Sequence, residues 1–130
     1  MSAAADAFMG IFGLKRLGTV VATYWLPIKL ESTANARWHW RKKAAHASQQ
    51  RQTARLIVKP VELPILVLIT RVGPRKLDTD NLAISAKHVR DGIADVLGVD
   101  DGDETKVRWE YAQEKGTPYA VRVDYVRVGA

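Results

Sequence analysis

Cysteine is absent from the 130 residues, which removes disulfide frameworks and thiolate metal sites together. Histidine is scarce, with three residues, so an imidazole-based zinc centre has few donors to draw on. No run of about 18 apolar residues occurs, so nothing is expected to span a membrane. The opening MSAAADAFMGIFGLKRLG is apolar, but its basic pair Lys15-Arg16 follows the apolar run, whereas a secretory signal carries its charge ahead of it. The expected location is therefore the cytoplasm. Internal repeats and low-complexity tracts are missing as well. What remains, 47% hydrophobic and 26% charged residues, suits a folded globular chain. The length suits one domain over 1–130, in which residues 1–23 can form an N-terminal extension.

Charge is unevenly laid out. Met1 to Lys76 holds 13 Lys/Arg against 3 Asp/Glu, or +10, and Leu77 to Ala130 holds 7 against 11, or −4, giving the net +6. A basic half beside an acidic cluster suits a protein that grips a polyanion and holds a cation. An ordinary solvated basic surface accounts for the same numbers.

Hydrophobic patterning predicts the elements. Thr19–Glu31 is rich in β-branched and aromatic residues and reads as a strand. Arg37 to Leu56 lacks Gly and Pro and reads as a helix, with Trp40, Ala44, Ala47 and Ala54 as a narrow packing face. Val61–Val72 is the most apolar run and should be a buried central strand, with Pro64 marking an edge or bulge. Leu82, Ala86, Val89, Ile93 and Val96 recur at helical spacing, so Asp80 to Leu97 reads as one amphipathic helix ended by Gly98. Lys106–Ala112 and Tyr119–Val128 alternate as strands, and Gly116-Thr117-Pro118 between them suggests a hairpin. The expected fold is α+β, a two-layer β-α-β-α-β-β arrangement with a mixed four-stranded sheet and helices packed on it.

Two acidic segments flank the second helix, Leu77-Asp78-Thr79-Asp80-Asn81 and Val99-Asp100-Asp101-Gly102-Asp103. Carboxylates are the ligands a hard divalent cation prefers, and Mg²⁺ takes a few of them while leaving positions for water and phosphate. Clustered carboxylates repel one another, and a cation is the natural neutraliser. The segments stand at opposite ends of a helix about 27 Å long, so their meeting requires either a loop that folds back or a second copy of the chain. Other accounts stay open. Asp80 or Asn81 can serve as a helix N-cap, Asp100–Asp103 can be a plain acidic turn, and Lys87 can pair with Asp91 one turn away instead of stabilising charge on a phosphate.

Taken together, Leu77-Asp78-Thr79-Asp80-Asn81-Leu82, Lys87-x-x-x-Asp91-Gly92-Ile93 and Leu97-Gly98-Val99-Asp100-Asp101 resemble the RusA family of Holliday junction resolvases, small enzymes many of which come from phages and prophages. Leu26-Pro27 and Ser32–Asn35 are similar to the start of that family, and the likeness runs roughly from Tyr24 to Val128. The resemblance implies a homodimer that cuts DNA phosphodiesters at four-way junctions with Mg²⁺, or Mn²⁺ in its place. It implies Asp78, Asp80 and Asp101 as the essential carboxylates, Asp100 as their neighbour at the metal, and Lys87 as the helical lysine. Five residues separate Asn81 from Lys87, about one helical turn more than in the type member.

On that reading the carboxylates hold the metal, the metal activates water for in-line attack, and Lys87 offsets developing charge. Arg37, Arg41, Lys42, Lys43, Arg75 and Lys76 are the candidates for contacts to the DNA backbone, which fix register without reading sequence. The rivals are a branched-DNA-binding protein without catalysis, a phosphohydrolase with an Asp-x-Asp nucleophile, and a structural partner using Trp25, Trp38 and Trp40 as an interface. Against the second, Gly73–Leu77 separates the aspartates from the preceding strand.

Overall fold

The computed structural model describes residues 18–31, 40–100 and 102–129. Seven elements follow one another there: β1 (Thr19–Leu26), α1 (Trp40–Ile57), β2 (Ile65–Gly73), α2 (Thr79–Ser85), α3 (Lys87–Leu97), β3 (Val107–Lys115) and β4 (Ala120–Arg127). The fold is α+β, with helices layered on a mixed four-stranded sheet of order β1-β4-β2-β3. Among the described residues no helix is long and apolar enough to cross a membrane.

Strand β2 is buried along nearly its whole length, as a strand flanked on both sides should be. It pairs in parallel with β3, from Ile65↔Val107 to Gly73↔Lys115, and antiparallel with β4. The expected β3–β4 hairpin is therefore wrong: β2 lies between the two strands. Alternation identifies a strand but not its neighbour, and the unbroken apolar run of β2 makes it the better centre. The connection from β3 crosses the end of β2, where the Gly116 amide donates to the Gly73 carbonyl at 2.9 Å. Pro64 also falls differently from expectation, just before the strand and not inside it, so no ladder bond is lost there.

The core lies between sheet and helices. Tyr24 and Leu26 of β1, Ile65, Val67 and Ile69 of β2, Trp109 and Tyr111 of β3, and Val121, Val123 and Tyr125 of β4 meet Ala54, Val58, Ala86, Val89 and Ile93. Leu66, Leu68 and Val126 form a second buried cluster with Ala112. The Tyr125 hydroxyl, deep in the main core, donates to the Lys59 carbonyl at 2.6 Å, and burial pushes its pKa up.

Two helix expectations need correction. The packing face of α1 is Gln50 and Ala54, continued just past its end by Val58, while Trp40 is 66% exposed and Ala44 is also exposed. The helix has 18 residues and its partner α3 has 11, so α1 overruns α3 by roughly 10 Å. The second helix is not continuous either; it breaks at Ala86 (φ −89, ψ −2) into α2 and α3. The Ser85 hydroxyl donates back to the Leu82 carbonyl at 2.8 Å, and such back-bonding bends helices. Gly98 ends α3 in the left-handed conformation (φ 67, ψ 34) as expected.

Candidate functional site

Past the end of β2 the chain turns through Gly73-Pro74 and is pinned at Leu77. The Leu77 amide donates to Gln113 Oε1 and its carbonyl accepts from Gln113 Nε2, both at 2.8 Å. This two-point clamp from β3 sets where α2 starts. Asp78 takes the N-cap position with an extended backbone (φ −61, ψ 151), yet its side chain makes no capping bond. Its carbonyl accepts the first helical bond from Leu82 at 2.9 Å. Asp80 follows in the first turn. Both aspartates are exposed, and neither carboxylate makes a hydrogen bond or ion pair among the described residues.

The second acidic segment is built differently. Asp100 Oδ1 accepts from the Gly102 amide at 3.2 Å, and its carbonyl accepts from the Asp103 amide at 2.9 Å. The Asp103 carboxylate accepts from both the hydroxyl and the amide of Thr105. Those bonds, the hydroxyl's first, hold Asp103 below the usual carboxylate range. Asp103 therefore shapes the turn that leads into β3.

The parallel pairing separates the two segments. Asp78 and Asp80 follow the C-terminal end of β2, clamped next to Gln113, whereas Asp100 and Asp103 precede the N-terminal end of β3. Gln113 lies six residues along β3 from Val107, a backbone separation of about 20 Å. Among the described residues no group of three or more Asp, Glu, His or Cys is placed to hold a metal. Asp101 lies outside the described residues, and its chain neighbours Asp100 and Gly102 sit at the β3 end.

Lys87 opens α3 and donates to Asp91 Oδ2 at 3.0 Å, one turn along. It lines a cleft of about 170 Å³ with Glu31, Lys43, His46, Gln50 and His88. Gln50 is buried there, with Nε2 at 2.9 Å from His46 Nε2. Burial, then the charge of Lys87, lowers the pKa of His88.

The basic candidates divide into two groups. Arg41, Lys42 and Lys43 are exposed in the first turn of α1, where Arg41 lies over the Trp40 ring at 5.2 Å; Arg37 lies outside the described residues. Arg75 and Lys76 instead rim a cleft of about 270 Å³ beside the Leu77 clamp, with Arg71, Gly73, Gln113, Glu114 and Lys115. Sequence reasoning missed Arg71, Gln113 and Lys115. Arg71 carried a usable signal, as the one charged residue of the strand Ile65–Gly73.

No family model and no solved structure matches this chain. A protein of Xylella fastidiosa, described only as uncharacterized, is 35% identical over 78 residues, covering 52% of this chain and 51% of that protein. The chain thus matches about half the length of that relative, whose description assigns no activity.

Proposed function

We propose that this chain is a divalent-metal-dependent endonuclease of branched DNA, of the RusA type, acting as a homodimer. The observation that carries the reading is the pair of exposed, uncapped carboxylates of Asp78 and Asp80 beside a cationic cleft rimmed by Arg75, Lys76 and Lys115. Two carboxylates with free oxygens fit a Mg²⁺ site, which takes few protein ligands and completes its shell with water and phosphate. Such an ion would supply water activation and charge neutralisation at phosphorus.

The chain's own residues do the rest. Asp78 and Asp80 would hold the ion, and Gln113 fixes the backbone they hang from. Arg75, Lys76 and Lys115 neutralise the incoming backbone. Arg41, Lys42 and Lys43, with Arg37, extend that contact along the duplex arm. On this reading Asp101, with Asp100, would complete the carboxylate set from the partner subunit, as supported by the position of Asp100 before the far end of β3 from the Gln113 clamp. Lys87 gives up its Asp91 partner if it turns toward phosphate.

The test is a synthetic four-way junction incubated with and without Mg²⁺. Wild type should cut it only with the metal, and Asp80→Asn should bind it without cutting. Full cleavage by Asp80→Asn would remove the metal assignment.

A second reading, a branched-DNA-binding protein without catalysis, is favoured by the separation of the acidic segments and by the Lys87–Asp91 pair. It expects junction binding indifferent to Mg²⁺ and no cutting by any variant.

A further inference from the structure

Arg71 occupies an inner strand and is only 3% exposed. Its Nε donates to the Leu30 carbonyl at 2.8 Å and its Nη1 to the Arg75 carbonyl. These carbonyls hold the group without neutralising it. No carboxylate lies within ion-pair distance of Arg71 among the described residues. Nearby acids are committed elsewhere: Glu31 to Lys29 at 3.4 Å and Glu114 to Arg122 at 2.8 Å. A buried cation with no counter-charge is costly, and burial pulls the Arg71 pKa down against the weaker opposing influence of Tyr119 and Glu31.

Arg71 lines the 270 Å³ cleft together with Arg75, Lys76 and Lys115, and with Glu114, which is paired to Arg122. Nη2 makes no hydrogen bond among the described residues. It lies against Gly73, another lining residue, where an added Cβ would stand 2.9 Å from it. Gly73 does not need glycine for its backbone, since its φ is not positive; its small size leaves room beside the guanidinium. A planar fork with an unused donor, set among three further cations and a carboxylate already neutralised by Arg122, suits a tetrahedral oxyanion carrying more than one charge.

We infer that this cleft binds a phosphate group, with Arg71 as its buried anchor and Arg75, Lys76 and Lys115 as its rim. The site requires no metal. In the nuclease reading it seats a backbone phosphate next to Asp78, but the inference stands without that reading.

The test titrates the full chain with inorganic phosphate in the presence of EDTA, against chloride at equal ionic strength. Calorimetry and the Arg71 Nε–Hε NMR signal follow binding. Saturable binding at one site is expected, weakened by about 10–100-fold in Arg71→Met, the worth of one or two charge-assisted hydrogen bonds. Should Arg71→Met not fold, Gly73→Ala decides, because it retains the charge and crowds Nη2; binding should fall severalfold. Competition with an oligonucleotide, 5′-phosphorylated or dephosphorylated, identifies the source. Equal competition marks the phosphodiester backbone, and competition by the phosphorylated form alone marks a terminal phosphate; both support the site. Phosphate binding no tighter than chloride's, or unchanged in Gly73→Ala, overturns it. Cleavage is not a readout, so failure here and failure of the nuclease reading are separate results.

Discussion

Gly92 sits inside α3, where helix propensity favours alanine by about 1 kcal/mol. Propensity alone therefore predicts that Gly92→Ala stabilises the protein. Packing predicts the opposite. A Cβ at Gly92 would stand 2.4 Å from the Arg51 carbonyl oxygen and 2.8 Å from Ala54 Cβ. The first obstacle is backbone and cannot rotate away, so α1 must shift outward by on the order of 1 Å to restore ordinary contact. That shift lifts Ala54 and Val58 from their packing with Val89 and Ile93. It also stretches the two Arg51–Asp95 hydrogen bonds, now 2.7 and 2.8 Å. Overpacking costs about 1–3 kcal/mol, and contact with backbone puts this site at the upper end. Less the propensity gain, the net loss is about 2 kcal/mol, or roughly 5–10 °C in Tm for a domain of this size. Urea denaturation followed by circular dichroism should show a lower midpoint with an unchanged slope. A variant more stable than wild type by about 1 kcal/mol would refute the close α1–α3 approach.

Gln113→Leu removes both bonds to Leu77 and leaves its amide and carbonyl unpaired, so stability should fall by about 1–3 kcal/mol in urea melts; in the nuclease reading, cleavage should fall further than junction binding. His88 titrates below the ordinary value of 6.5 because it is partly buried, with Lys87, His46 and Arg51 adding to the effect and Asp91 opposing it. The unfolded chain then binds the proton first, so stability should hold above about pH 6.5 and decline as pH falls toward the lowered native pKa; His88→Gln should flatten that decline in melts between pH 7 and 5, and an unchanged slope would contradict it.

The legible parts of the fold were those set by local pattern. The apolar run expected at Val61–Val72, the alternation in β3 and β4, and the Gly98 cap all report on their own backbone; each element is found, the first of them starting four residues later at Ile65. Strand partners were not legible, because alternation in β3 and β4 is equally consistent with pairing to each other or to β2. Trp40 misled for a related reason: helical spacing gives a face, but only the length of α3 decides how much of that face is covered. At the candidate site, the aspartates were visible as residue types. Gln113 was not, since its role depends on a contact 36 positions away in sequence.

The motif that suggested a nuclease also divides into parts with different causes. Asp91 holds Lys87 and Gly92 admits α1, so two of its residues are accounted for by packing. Asp78 and Asp80 have no such partner among the described residues. Within one chain Leu77 is clamped at Gln113 while Asp100 precedes the far end of β3, so the proposed metal site using both segments is one shared between two subunits. That requirement has a sharp consequence. In a mixture of Asp80→Asn and Asp101→Asn chains, a heterodimer with shared sites places both lesions in one site and leaves the other intact. Two inactive variants, mixed under exchanging conditions, should recover nicking of one strand of a four-way junction, at about half the wild-type site count in the half of dimers that are mixed. Sites confined to single chains would leave every heterodimer with two damaged sites and no recovery. Absence of recovery despite demonstrated subunit exchange would therefore exclude the shared site and place each site within a single chain.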